Sequence, residues 1–224
     1  MLEERNINSM DAKNDIITYI KENCVSTTEV ADCLGKTGAV PGILPLIVGG
    51  FAVGEIKYVY TYAESNWELH KQIENIDKNK IVFVDGIECG DRAIFGELVS
   101  KYLVLYRQAK AIVVDGKIRD VHRLIKERYP IWSKGVTPEG CFNVKPEKTI
   151  DEGVINKRIE YFEGAIMVCD DSGVVVIPKE YHNEQFLKKL HDIEEQEDIW
   201  FDCIDRRKWS TFETVCLKRY LEET

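Results

Sequence analysis

Apolar residues recur at three different periods along the chain. From about Asp11 to Glu22, Ile16, Ile17 and Ile20 fall on one face of a helical wheel, which predicts an amphipathic helix. Val25-Ser26-Thr27 then opens a second helix. Ser26 or Thr27 is placed to cap it, with Glu29 three residues after Ser26 as in a capping box, and Gly35 supplies a left-handed stop. Gly and Pro are too dense between Gly38 and Pro45 for a regular element. From Ala52 to Ala63 the period falls to two, with Ile56, Tyr58 and Tyr60 alternating against Glu55, Lys57 and Val59, so a strand is expected.

A short helix follows near Trp67 to Glu74. Lys80–Val84 and Lys110–Val114 each carry four consecutive apolar residues after the lysine, the pattern of buried strands, and each closes in Asp-Gly, at Asp85-Gly86 and Asp115-Gly116. Between them, Ala93 to Arg107 reads as helix. Val121–Arg128 reads as another short helix and Ile131–Lys134 as a brief strand. The second half turns to β structure at Arg158–Phe162, Ala165–Cys169 and Val174–Ile177, with Asp170-Asp171-Ser172-Gly173 as a turn. From about Tyr181 the chain is helical and acidic. Alternating helices and strands make the expected class α/β. A main domain over residues 1–196 and an aromatic-rich helical C-terminal extension over 197–224 are expected. The extension carries Trp200, Phe201, Trp209, Phe212 and Tyr220, too many large aromatics for a solvated tail.

Composition narrows the function. The 224 residues carry a formal net charge of −9, which argues against sequence-independent nucleic-acid binding, where clustered Lys and Arg are needed. The longest apolar stretch, Gly42 to Val53, is short and Gly-rich, so no membrane span is expected. Seven cysteines at wide spacings, without a Cys-x-x-Cys pair, point to neither a zinc site nor a disulfide framework. A reducing, cytoplasmic setting is the natural reading. His70, His182 and His191 are taken as surface residues, and His122 as a structural one.

Candidate chemistry gathers after the two Asp-Gly strands, because ligands of open α/β sheets lie beyond the carboxyl ends of strands. One sequel is Gly90-Asp91-Arg92-Ala93-Ile94-Phe95-Gly96-Glu97-Leu98-Val99; the other is Lys117-Ile118-Arg119-Asp120. A helix beginning near Gly96 would point the Leu98 and Val99 N–H groups at a carboxylate. Arg119 offers a bidentate fork for the same anion, and Asp120 is a hard oxygen ligand suited to Mg²⁺ or Mn²⁺. Glu97 is placed to hold or activate a water, and Asp91 to do likewise or cap the helix.

Five blocks in order, VSTTEVADCLGKTGAVPGILPL, VFVDGIECGDRAIFGELVS, AIVVDGKIRDVHRLI, SKGVTPEG and CDDSGVVVIP, resemble the regulator of ribonuclease activity A family, which includes metal-dependent 4-hydroxy-4-methyl-2-oxoglutarate aldolases. The resemblance implies a swivelling β/β/α domain, a homotrimer or dimer of trimers with sites between subunits, and a Mg²⁺ or Mn²⁺ cofactor. It implies retro-aldol cleavage of a 4-hydroxy-2-oxo acid to pyruvate, or decarboxylation of oxaloacetate, through pyruvate enolate. Arg119 would then bind the pyruvate-like end and Asp120 the metal. Gly96, Leu98 and Val99 would hold the substrate carboxylate, and Glu97 would position a catalytic water. The Gly38–Pro45 loop would line the pocket, and Glu194, Glu195, Glu197 or Asp198 would reach a neighbouring subunit's site. Members that only bind and inhibit a ribonuclease form the alternative; they tend to lack the acidic residue that Glu97 matches. The aldolases carry twenty residues between that acid and Arg-Asp, whereas Leu98 through Ile118 is twenty-one, placing one extra residue between Ser100 and Lys110.

Overall fold

The computed structural model describes residues 2–222; the last two positions of the expected extension lie outside them. Eight strands form one sheet: β1 (Leu44–Pro45), β2 (Ala52–Tyr62), β3 (Ile81–Ile87), β4 (Ala93–Phe95), β5 (Ala111–Ile118), β6 (Ile131–Val136), β7 (Ile166–Asp170) and β8 (Gly173–Ile177). Their order is β1-β6-β5-β3-β2-β7-β8, with β4 added on β5. The middle pairs, β2 with β3, β3 with β5 and β5 with β6, are parallel; β7 and β8 return antiparallel.

The sheet curls until its ends nearly meet. Leu44 pairs with Ser133 of β6 on one side, and Ala39 bridges Val175 of β8 on the other. The Gly38–Pro45 segment is thus the seam of a barrel-like sheet rather than only a loop. Gly38 makes the turn possible: its φ is +89°, and a Cβ there would lie 2.8 Å from the Val176 carbonyl oxygen.

Strand alternation divides the core. Ile56, Tyr58, Ile81, Phe83, Ala111, Val113 and Trp132 fill the barrel interior. On the outer face, Val82, Val84, Ile112 and Val114 meet the crossover helices α3 (Trp67–Gln72), α4 (Glu97–Lys101) and α5 (Val121–Lys126) through Leu69, Val99 and Leu124. A third cluster joins α1 (Leu2–Asn23), α2 (Thr27–Cys33) and α7 (Glu184–Asp205) to β7 and β8. The capping box of α2 is present, with Ser26 accepting from the Glu29 N–H and the Glu29 carboxylate accepting from the Ser26 N–H.

Four expectations are corrected. Residues 158–162 are not a strand but the end of helix α6 (Glu152–Phe162), which Asp151 caps by accepting from the Gly153 N–H. Ile155, Ile159 and Phe162 follow helical spacing, and Phe162 packs into the barrel end against Tyr58 and Phe83, with ring centroids 5.7 and 4.5 Å away. Residues 93–95 are strand β4, so the helix expected from Ala93 begins only at Glu97. His182 is buried, with its ring against the Ile177 carbonyl at 3.3 Å. His122, expected to be structural, is exposed on α5. Helix α7 runs without a break across the 196/197 border. Beyond it, Trp209 lies between the guanidinium groups of Arg207 and Arg219, 5.1 and 4.8 Å from their Cζ atoms.

Candidate functional site

Two neighbouring parallel strands deliver the candidate residues to one place. β4 and β5 run side by side, with Ala93 opposite Lys117 and Phe95 opposite Ile118. The peptide following each strand therefore emerges at the same edge: Gly96-Glu97 from one, Arg119-Asp120 from the other. The Arg119 N–H donates to the Phe95 carbonyl at 3.0 Å, locking the two ends together.

Asp120 is the pivot. Its backbone is left-handed (φ 60°, ψ 28°), a conformation Asp tolerates better than most residues. The Glu97 N–H donates to Asp120 Oδ2 at 3.0 Å, so this carboxylate satisfies the first orphan donor of α4. A Cβ on Gly96 would collide with that same carboxylate and sit 2.8 Å from Arg119 Cγ. Ser100 is the first residue to bond back to the Gly96 carbonyl, at 3.2 Å, so the Leu98 and Val99 N–H groups precede the first intrahelical bond.

The Glu97 carboxylate lies 3.4 Å from Arg123 Nε, a partner on the first turn of α5. Arg119 lies beside Gly140, where any Cβ would overlap its guanidinium. Arg92 holds that segment in place, donating to the Gly140 carbonyl at 3.1 Å and to Glu64 at 2.8 Å while covering the Phe142 ring. Arg123 and Gly140 are site residues that sequence reasoning missed. Arg123 had a signal, one helical turn after Arg119; Gly140 had none, because its contact spans distant chain positions.

Asp91 neither caps α4 nor joins the cradle. It pairs with Lys117 at 2.7 Å, and that hydrogen bond holds its carboxyl below the usual range. The Gly38–Pro45 loop lines a separate cavity of about 420 Å³ with α2 and Ser172–Val175; neither Arg119 nor Asp120 borders it. Leu98 and Val99 also border an apolar cavity of about 340 Å³ with His70, Ile73, Glu74 and Tyr102. On α7, Glu194 is engaged by the Tyr19 hydroxyl. Burial pushes the Glu197 carboxyl up, and the charges of Glu29, Asp32, Glu194 and Asp198 add to this.

The stretch where the extra residue is expected contains an irregular turn. Directly after α4, Tyr102–Tyr106 winds as a π turn, in which the Arg107 N–H reaches the Tyr102 carbonyl at 3.0 Å. A π turn takes up one residue more than an α turn. It lies within the Ser100–Lys110 stretch and behind Glu97, so the start of α4 keeps its contact with Asp120.

The residues accommodate a hard divalent cation in one respect. The contacts of Asp120 among the described residues fall on Oδ2, and its side chain is 45% exposed. Mg²⁺ is commonly held by one or two carboxylates with several waters. Among the described residues no group of three His, Cys, Asp or Glu side chains gathers to enclose a metal. The fit is therefore to a water-rich ion on a single carboxylate. No described helix is long and apolar enough to cross a membrane.

Comparison with known proteins covers this whole region. A family model described as "RraA-like: Aldolase/RraA" matches residues 27–176. A protein of Halalkalibacterium halodurans, provisionally named 4-hydroxy-4-methyl-2-oxoglutarate aldolase, is 29% identical over 174 residues, covering 75% of this chain and 79% of its own. An uncharacterized protein from Pseudomonas syringae pv. tomato superposes with a TM-score of 0.66 at 22% identity, covering 90% of this chain and 96% of the other. Streptomyces coelicolor RraAS2, described as an unusual member of the RNase ES inhibitor RraA protein family, superposes with a TM-score of 0.62 at 21% identity, covering 82% and 93%. At these identities the two structures speak to the fold.

Proposed function

The chain belongs to the RraA-like family, and from that premise we propose that it is a divalent-metal-dependent lyase acting on a small oxo acid. The reaction is retro-aldol cleavage of a 4-hydroxy-2-oxo acid, decarboxylation of oxaloacetate, or both. The observation that carries this reading is the meeting of Glu97, Arg119 and Asp120 at the ends of β4 and β5, with the Leu98 and Val99 amides beside them.

Each residue has a part. The Arg119 guanidinium, 47% exposed and braced against Gly140, binds the 1-carboxylate and keto end of the substrate and balances negative charge as it moves onto the keto oxygen. The Leu98 and Val99 N–H groups share the carboxylate. Asp120 would hold Mg²⁺ or Mn²⁺, which supplies Lewis acidity toward the keto oxygen. Glu97, oriented by Arg123, holds the water that accepts the hydroxyl proton in cleavage and returns a proton to the product carbon. The cradle is open on one side in a single chain, with Glu97, Arg119 and Asp120 each more than one third solvent-exposed or close to it. A second copy of the chain closes it, in a trimer or pair of trimers, with Glu194, Glu195, Glu197 or Asp198 as the contributed acid.

The test is turnover. Purified protein with oxaloacetate and Mg²⁺ or Mn²⁺ should release pyruvate, followed by a coupled dehydrogenase assay. EDTA should abolish the rate, and Arg119→Ala or Asp120→Ala should each lower it by about a hundredfold or more. No turnover with oxaloacetate or with a panel of 4-hydroxy-2-oxo acids, from a folded and metal-supplied protein, sinks the lyase reading and leaves ribonuclease binding as the function to assay.

A further inference from the structure

The Arg119 side chain lies on two glycines. A Cβ on Gly96 would stand 2.8 Å from its Cγ, and its guanidinium fills the place that a Cβ on Gly140 would take. Gly96 continues from β4, but Gly140 belongs to a segment stitched onto β4 along the edge away from β5. The Ala93 N–H donates to the Glu139 carbonyl at 2.7 Å, and the Cys141 N–H donates to the Ala93 carbonyl at 2.8 Å. One residue on, the Phe142 N–H donates to the Glu64 carbonyl at 2.8 Å, and the Asn66 N–H donates to the Phe142 carbonyl at 3.1 Å. The wall behind Arg119 is therefore backbone from a distant part of the chain.

Arg92 joins these pieces. Its Nη1 donates to the Gly140 carbonyl at 3.1 Å, its Nε donates to the Glu64 carboxylate at 2.8 Å, and its Cζ stands 4.4 Å from the centre of the Phe142 ring. A guanidinium can do all three at once, because its donors diverge in one plane and leave a face to cover a ring. Glu64 is itself held in place. It and Ala63 have left-handed backbone, each with φ 54°, and the Ala63 N–H donates to the Ile87 carbonyl at 3.1 Å. The Arg92 charge is thus answered by Glu64 and its face by Phe142. Arg119 differs: its Nε stands 3.9 Å from Asp120 Oδ2, beyond hydrogen-bond reach, and its side chain is 47% exposed against 29% for Arg92.

We propose that Arg92 is a positioning residue for Arg119: by fixing the Gly140 peptide it fixes the wall on which the anion-binding guanidinium rests. This rests on the reading of Arg119 as the group that binds the oxo acid. Without Arg92 the Gly140 carbonyl loses a donor and the Phe142 ring its cover. The segment can then back away, and Arg119 gains rotamers that must be given up again when an anion binds. The effect falls on affinity for the anion and runs through Arg119. Lysine is no substitute at position 92. One ammonium on a flexible stem can keep Glu64, but it cannot also reach Gly140 and lie flat over Phe142.

Oxalate, a planar analogue of pyruvate enolate, is the probe, titrated by calorimetry into protein supplied with Mn²⁺. Arg92→Met should weaken oxalate about tenfold, and Arg92→Lys should recover little of that loss. In an Arg119→Ala background, Arg92→Met should change nothing further. Full recovery by lysine overturns the proposal, since charge alone would then suffice. An equal loss in the Arg119→Ala background overturns it too, since the effect would bypass Arg119. A second readout needs neither oxalate nor turnover. Phenylglyoxal should modify Arg119, followed by mass spectrometry of tryptic peptides, several-fold faster in Arg92→Met than in the unaltered protein. The rate at Arg206, which is 85% exposed, should not change. Equal rates at Arg119 in the two proteins show that there is no brace. If the unaltered protein neither binds oxalate nor turns over an oxo acid, the lyase reading fails by itself, and the phenylglyoxal comparison still decides the brace. Should Arg92→Met fail to fold, Glu64→Gln removes the anchor of Arg92 while keeping the backbone bonds of residue 64, and it should move both readouts in the same direction.

Discussion

A methyl group on Gly96 would take the space now filled by the Asp120 carboxylate. The glycine is needed for closeness rather than for an unusual φ, and Gly96→Ala must push Asp120 off the Glu97 amide. We expect Gly96→Ala to fold, to lower turnover at least about tenfold, and to raise the metal concentration for half-maximal activity, measured by Mn²⁺ titration. Part of this site is plain in the sequence. Glu97, Arg119 and Asp120 stand out as chemistry-bearing residues after strands that end together. The left-handed backbone of Asp120 and the brace from Gly140 are invisible there, since each depends on a partner distant along the chain.

Among the elements, caps were easier to read than interiors. The Ser26–Glu29 box is a local pattern with a local cause, and it forms as expected. Ser26→Ala removes the acceptor for the Glu29 N–H and should cost about 1 kcal/mol, read as a lowered urea midpoint at unchanged slope. Helix α6 was misread because Ile159-Glu160-Tyr161-Phe162 is β-branched and aromatic, and only the Asp151 cap and Ile155 reveal the longer period. β4 was missed because three apolar residues directly before a helix carry no period of their own. The π turn behind Glu97 was not legible, because winding depends on which carbonyl each N–H finds.

At the scale of the whole molecule, charge pairs tie the outer helices to the barrel. Glu55 of β2 accepts from Lys13 of α1 at 2.6 Å and from Lys80 at 2.7 Å. Burial alone would push the Glu55 carboxyl up; the two lysines outweigh it and hold the carboxyl below its ordinary value. A depressed folded value contributes stability above the unfolded pKa of about 4.3, and that contribution is lost as pH falls through the folded value. Glu55→Gln should therefore lower the melting temperature near neutral pH. The deficit should shrink as pH falls below about 4, checked by thermal melts across that range. If the deficit stays constant with pH, the pair does not act through its charge.

The seam has a further consequence, for the order in which the molecule can assemble. Residues 39–45 are made early, yet their partners, Ser133 and Val175, lie far downstream. Loop closure over such distances is slow, and contacts of this kind form after the local ones. A growing chain on the ribosome thus carries Leu44 and Pro45 as an unsatisfied strand until β6 has emerged, and cannot finish the ring until β8 has. The β2–β3–β5 ribbon with its crossover helices is available to fold first, and the N-terminal arm waits to be stapled across the gap. Any truncation before Val175 would leave the ring without its last partner.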